Sequence, residues 1–229
     1  VGTLPLVLAL DQVCRRPAVP AVYSFKEKRS EFIAALFPAA ASDEARAVLE
    51  SVRKEHHGAT HNCPAWRVGY PEVEEFCSDD GEPGGTAGRP LLDALQKAGL
   101  FNAVLVVTRY FGGVKLGVRG LIDAYGAAAA GVVERASIET ALPFKELELH
   151  CGYEQLAALS HAVKIAGVAE KYLRPAYGAD ITLSLLVAPA FEERLRALLD
   201  SYEGRRLLAA PPRWSENYVL EAEKQNGGS

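Results

Sequence analysis

Two glycine-bearing segments hold most of the residues whose types and spacing could do chemistry. The first is Ser78-Asp79-Asp80-Gly81-Glu82-Pro83-Gly84-Gly85-Thr86-Ala87-Gly88-Arg89-Pro90. Consecutive glycines let backbone N–H groups converge on an anion, and a helix opening at Pro90 adds its partial positive end. On this reading Gly84, Gly85, Gly88 and the hydroxyl of Thr86 cradle a phosphate, and Arg89 supplies a charged fork. The same segment could instead aim Asp79, Asp80 and Glu82 at Mg²⁺. It is not a Walker loop, because no Gly-Lys-Ser/Thr follows. A purely structural reading stands beside both: the glycines permit a tight turn and nothing more.

The second segment is Arg109-Tyr110-Phe111-Gly112-Gly113-Val114-Lys115-Leu116-Gly117-Val118-Arg119-Gly120, in which no acid interrupts the bases. Arg109 ends an apolar run and should emerge at the end of a strand, where open α/β sheets bind ligands. Tyr110 and Phe111 are suited to stacking on bases. Lys115 and Arg119 are suited to phosphates, and Gly112 and Gly113 to close backbone approach. The competing reading puts the aromatics in the core and pairs Arg109 with Asp79, Asp80 or Glu82.

Other candidates are weaker. His57 and His61, with Cys63 nearby, have zinc-like spacing. However, His57 closes a predicted helix and His61 opens a predicted strand, so their rings need not converge. His61 is expected to face the cleft beside the glycine segment. No Gly-x-Ser-x-Gly elbow or local thiol-protease signature is present. Cys63 and Cys77 read as small core residues, and Trp66 and Trp214 as packing groups.

The elements that must position these groups follow from periodicity. Residues 1–20 read as an extended lead-in with no signal-peptide pattern. Ser24 to Phe37 reads as strand material. Ser42 is expected to cap a helix with Ala45, Val48, Leu49 and Val52 on one face and a Glu50–Lys54 pair outside. A strand follows from His61, then a short helix after Arg89-Pro90 that Gly99 stops. Phe101 to Thr108 is a compact run that reads as a central strand buried on both faces. A helix from about Gly117 to Arg135 carries Gly126, Ala127, Ala130 and Gly131, small enough for close approach to a sheet. Past residue 140 the order becomes strand, helix, strand, strand, helix, strand, with a last strand near Arg205 to Ala209. Residues 211–229 read as a flexible tail.

Composition narrows the function classes. The 229 residues are 49% hydrophobic and 24% charged, which excludes a disordered chain, a collagen and a disulfide-stapled miniprotein. With 25 bases against 29 acids the net charge is −4, so any nucleic-acid contact must come from a local basic patch. Four scattered cysteines without a CxxC pair suggest reduced thiols and a cytoplasmic address. No apolar run approaches the roughly 18–20 residues a membrane span needs.

Taken together, the quoted segments resemble the Impact family and its bacterial, YigZ-like branch. The resemblance rests on His61-Asn62-Cys63-Pro64-Ala65-Trp66, on Ser78 to Pro83 running into Gly85-Thr86-Ala87-Gly88-Arg89-Pro90, and on Arg109-Tyr110-Phe111-Gly112-Gly113 with Leu116-Gly117. It continues through Gly120 to Gly126 and covers about residues 23–210. It implies an α+β protein of two α/β sandwich domains. The first (21–140) is similar to a ribosomal-protein-type fold also seen in the fourth domain of elongation factor G. The second (141–210) is similar to a ferredoxin-like βαββαβ domain. It also implies a role in nucleic-acid binding or around translation. Eukaryotic relatives regulate an amino-acid-starvation kinase through a further N-terminal domain, which a lead-in of this length is not expected to supply.

The resulting expectation is a non-enzymatic RNA- or ribosome-binding protein of the cytoplasm, with no cofactor and no membrane contact. Its anion cleft is expected where the two glycine segments meet. One alternative is a Mg²⁺-dependent enzyme acting on a phosphorylated or nucleotide-like metabolite. Another is a regulatory module that docks a protein on the open sheet of its second domain.

Overall fold

A computed structural model describes residues 6–7 and 14–222, which form two compact units divided near residue 140. In the first unit β1 (Leu6–Val7), β3 (Ala21–Glu27), β4 (Ser30–Pro38), β5 (His61–Val68), β6 (Glu72–Cys77) and β7 (Ala103–Tyr110) form one sheet of order β1-β6-β5-β7-β4-β3. Helices α2 (Gly88–Lys97) and α3 (Gly117–Arg135) contribute Leu91, Leu95 and Tyr125 to a core with Phe32, Leu36, Leu105 and Val107. Helix α1 (Ser42–Glu55) contributes Leu49 and Val52 to a second core with Trp66, Val68, Val104 and Val106. Strand β7 therefore sends alternate residues into two cores, as its unbroken apolar run predicts.

Several local expectations need correction. Ser24 to Phe37 is strand material as expected, but it folds back as a hairpin in which Glu27 pairs with Ser30 across a two-residue turn, Lys28-Arg29. Ser42 is not the cap of α1. The helix starts at Ser42, whose buried Oγ has no partner, and Glu44 accepts the N–H of Ala40 at 2.7 Å. Glu50 pairs with Arg53, at 3.1 Å, in place of the expected Lys54. The expected lead-in 1–20 contains strand β2 (Cys14–Pro17), anchored by Arg16 on Glu139 at 2.7 Å. On α3 the close approach is made by Gly131, where an added Cβ would lie 2.1 Å from the Tyr23 ring, whereas Gly126 faces open space.

The second unit contains β8 (Ile138–Cys151) from residue 141 onward, α4 (Tyr153–Ile165), β9 (Leu173–Tyr177), β10 (Ile181–Val187), α5 (Pro189–Gly204) and β11 (Ala210–Ala222), with sheet order β11-β8-β10-β9. The register sets Leu147 against Leu185, Leu149 against Leu183 and Cys151 against Ile181. Those residues share a core with Leu159, Val163, Leu195 and Leu199 from the two helices. The strand and helix order is the expected one, but the last strand lies further along the chain. Residues 210–222 pair with 141–150, so their assignment to a flexible tail is overturned. Half-buried Trp214 packs on the core and anchors this segment, while register shifts at its bulges absorb the polar residues and prolines that obscured it. Residues 223–229 of the expected tail lie outside the described residues.

Candidate functional site

The turn after β6 brings the acidic and glycine-rich residues against β5, β7 and α3. Its centre is a buried ion pair. Arg109 Nη1 donates to Glu82 Oε1 at 2.6 Å, and the two residues are 5% and 8% exposed. Tyr125 Oη donates to the same oxygen at 2.8 Å, and Arg109 Nη2 donates to Ser30 Oγ at 3.2 Å. The guanidinium carbon lies 5.4 Å from the ring centroid of Phe32 and 5.4 Å from that of Phe111, and Arg109 Nε has no hydrogen-bond partner. The structural reading of Arg109 is thus the correct one, with Glu82 as its partner. A buried, charge-neutral pair is not a free phosphate clamp.

The glycine segment is likewise committed to the fold. The Asp79 carboxylate accepts the N–H groups of Gly85 at 2.8 Å and of Ala87 and Gly88 at 2.9 Å. Partial burial alone would raise the Asp79 carboxyl, but these three bonds outweigh it and hold the group below the usual carboxylate range. Thr86 is buried and donates to the Pro83 carbonyl at 2.7 Å. The expected anion cradle at Gly84, Gly85, Thr86 and Gly88 is therefore already filled by the chain's own carboxylate. Arg89, at the exposed start of α2, pairs with Asp93 at 2.7 Å.

The Mg²⁺ assignment of Asp79, Asp80 and Glu82 fails for the same reason. Asp80 accepts from Arg53 at 2.9 Å and from the Asn62 N–H at 2.7 Å. Asp79 is held by amides, and Glu82 by Arg109 and Tyr125. Among the described residues, no cluster of three or more His, Cys, Asp or Glu is placed to hold a metal. Cys63 Sγ lies 3.4 Å from Tyr125 Oη and 3.2 Å from the Asp79 carbonyl. Burial, partly offset by the bond to Tyr125, pushes its thiol up to about 12. At neutral pH it is a protonated core group, not a nucleophile.

What stays open is the side of this centre facing the second glycine segment. A cavity of about 440 Å³ is lined by His61, Glu82, Arg109, Phe111, Lys115 and Val118, among others. His61 Nδ1 lies 2.8 Å from the Asp80 carbonyl, with Nε2 3.8 Å from Glu82. The two segments thus meet, but around an internal ion pair. Tyr110 turns away, its hydroxyl 3.0 Å from His56 Nδ1, so it is not the expected stacking platform. Phe111 is 46% exposed. Gly112 is pressed onto the β3–β4 turn: a Cβ there would lie 1.9 Å from the Arg29 carbonyl oxygen. This contact sets Lys28 and Arg29 beside the loop that carries Phe111 and Lys115. Arg119 is exposed but pairs with Asp123 at 3.1 Å.

The β3–β4 turn was not singled out in the sequence, although Lys26, Lys28 and Arg29 form a dense basic stretch. Lys28 and Arg29 have φ of 44° and 68°. Two-residue hairpin turns favour such values, usually with Asn-Gly or Asp-Gly. In the second unit, Glu146, Glu148 and Ser184 alternate with core positions and line, with Arg174 and Arg213, a cavity of about 540 Å³. That face mixes both charge signs.

The fold and these segments define a two-domain mixed α/β protein. The Impact N-terminal domain matches residues 28–133. IMPACT family member YigZ of Escherichia coli K12 is 39% identical over 145 residues, 62% of this chain and 71% of the relative. The chain belongs to the Impact family, in its YigZ-like branch. A crystal structure described as that of a hypothetical protein is 31% identical, covers 93% of this chain and 98% of its own, and superimposes with a TM-score of 0.61. The two-domain translational regulator Yih1 aligns over 59% of this chain and 54% of its own at 22% identity and a TM-score of 0.34, too loosely to support an inference about this one. In the described residues no helix is long and apolar enough to cross a membrane.

Proposed function

We propose that this chain is a non-enzymatic RNA-binding protein of the cytoplasm that acts on structured RNA, including that of the ribosome. Its contact surface is the end of the first unit where the β3–β4 turn meets the loop entering α3. The observation that carries this reading is the seating of Gly112 on the Arg29 backbone, which gathers Lys28, Arg29, Lys115 and the exposed ring of Phe111. Among the described residues none of these three cations has an ion-pair partner, unlike Arg89, Arg109 and Arg119. Lysine and arginine occupy a turn conformation that costs non-glycine residues on the order of 1 kcal/mol each. The first turn of α3 carries no acid, so its positive end adds to the same field. A local patch is what a chain of net charge −4 requires to bind phosphates. The link to translation comes from the family resemblance.

The test is RNA binding by wild type and by Lys28→Ala with Lys115→Ala, at two salt concentrations, using a structured hairpin. Each lost phosphate contact should lower the slope of log affinity against log salt by about 1. Two lysines should therefore flatten it by about 2 while the melting temperature stays unchanged. Superimposable isotherms for the two proteins would reject the surface.

A further inference from the structure

The cavity beside the Arg109–Glu82 pair adjoins the proposed RNA surface. Pro83, Phe111, Leu116, Val118 and Leu121 give it apolar walls. Its volume of about 440 Å³ falls in the range of roughly 300–1,000 Å³ typical of small-ligand pockets. Phe111 and Val118 both line it and are 46% and 61% exposed, so they form its rim. The Phe111 N–H donates to Thr60 Oγ1 at 3.1 Å, which fixes the backbone beneath that ring. The charges suit a nucleotide. Glu82 is the one acid among the lining residues, and Arg109 cancels it. Lys115, also in the lining, adds a cation that no carboxylate among the described residues pairs.

Two hydrogen-bond acceptors remain at the polar end. His61 Nδ1 faces the Asp80 carbonyl at 2.8 Å and must carry its proton there, so Nε2 of the neutral ring is an acceptor. A Cβ at Gly81 would lie 3.5 Å from Nδ1 and 3.6 Å from Cε1. The chain thus covers that edge, and the ring meets the cavity with its Nε2 side. Glu82 Oε1 takes the bonds from Arg109 and Tyr125. Oε2 takes none among the described residues, yet it is not sealed: the buried side-chain atoms without a partner are Ser42 Oγ, Trp66 Nε1 and Arg109 Nε. Oε2 therefore keeps contact with the open space that Glu82 lines. Nε2 lies 3.8 Å from Oε1 of the same carboxylate, so both acceptors belong to one small patch.

Acceptors on the wall of an apolar cavity call for donors on the guest. Among the RNA bases, guanine alone sets two N–H donors side by side on its Watson–Crick edge, at N1 and N2. Adenine, cytosine and uracil each place an acceptor beside every donor, and that acceptor would face a like group here. We propose that this cavity captures one unpaired guanine of the RNA, extruded from a bulge or loop. The ring lies against Phe111, N1–H and N2–H meet Glu82 Oε2 and His61 Nε2, and the flanking phosphates meet Lys115 and the β3–β4 turn. Extrusion costs least where the base is already unpaired. This inference rests on the RNA surface proposed above and narrows its target to RNA that offers an unpaired guanine.

The test measures binding of the full chain to a blunt RNA duplex and to the same duplex with one bulged guanosine, inosine or uridine, at two salt concentrations. Wild type should prefer the guanosine bulge to the duplex by about tenfold or more, as stacking and two hydrogen bonds imply. Inosine keeps N1–H but lacks the 2-amino group, so it should bind about fivefold more weakly than guanosine, the worth of one hydrogen bond. Uridine should show no preference over the duplex. Val118→Trp fills the mouth and should bring the guanosine-to-duplex ratio close to one. Phe111→Ala removes the stacking face and should lower that ratio about fivefold or more. Equal affinities for the three bulges, or for bulge and duplex, overturn the capture of guanine. If binding then still shows the lysine-dependent salt slope, the RNA surface stands without it. A ratio unchanged in both variants also overturns the capture, and no binding of any of these RNAs overturns both readings.

Discussion

The two glycine bends of the first unit look alike in sequence and do different work. Each pairs adjacent glycines with nearby bases. At 84–88 the amides turn inward onto Asp79, and the side chains that could meet a guest are buried or paired. At 112–113 the backbone also packs tightly, against Arg29, but Phe111, Val114 and Lys115 are left facing out. Glycine reports where a backbone is crowded. Whether the amides are free is decided elsewhere, here by a carboxylate six to nine residues upstream. One bend is part of the frame, and the other is a surface that the frame supports.

That contrast orders the expected effects of mutation. The largest belongs to the frame. Arg109→Ala strands Glu82 as a buried charge, so denaturant unfolding should show a loss of about 3–5 kcal/mol. A stability loss below about 1 kcal/mol would mean that the centre is not structural. Loss of RNA binding in this variant therefore reports unfolding, not a missing phosphate contact. Next is Asp79→Ala, which leaves three amides without their acceptor and should cost about 2 kcal/mol.

The Asp79 effect has a pH signature. Because folding lowers this carboxyl, its contribution is complete above the unfolded value of about 3.9 and fades as pH falls through the folded value. The melting-temperature gap between wild type and Asp79→Asn should therefore close on acidification, and a gap that widens would contradict the assignment. Smaller effects separate the two bends directly. Gly112→Ala must displace the Arg29 backbone and should cost about 1–3 kcal/mol. Gly84→Ala meets nothing within 4 Å and should stay within about 0.5 kcal/mol in the same melts. Smallest in stability is Lys115→Ala, expected within about 0.5 kcal/mol by denaturant titration.

How much of this was legible varies with the physics behind each feature. The extent of helix α3 from Gly117 to Arg135 could be read, but its packing face could not: Ala127 and Ala130 are exposed, Gly126 faces open space, and of the small residues expected to approach the sheet only Gly131 does so. The four core strand positions of β10 alternate cleanly from Ile181 to Val187. The hairpin at 21–38 could not be read, because Lys28-Arg29 replaces the Asn-Gly or Asp-Gly that marks such a turn. Strand β11 was hidden by Pro211-Pro212 and by polar residues that its bulges accommodate. The Arg109–Glu82 pair was visible as an alternative, since acids and base were both in view. Which acid would pair depended on the bend that assigns Asp79 to amides and Asp80 to Arg53.

The first bend belongs to the fold, and the second is proposed to meet RNA. Two charge reversals at exposed positions, Arg89→Glu at the first bend and Lys115→Glu at the second, test it in a single salt-dependent RNA-binding titration. Lys115→Glu should weaken binding about tenfold or more and flatten the salt dependence by at least about one unit of slope, while Arg89→Glu should match wild type and both proteins should melt as wild type does. Equal losses in the two variants, or a loss confined to Arg89→Glu, would contradict it.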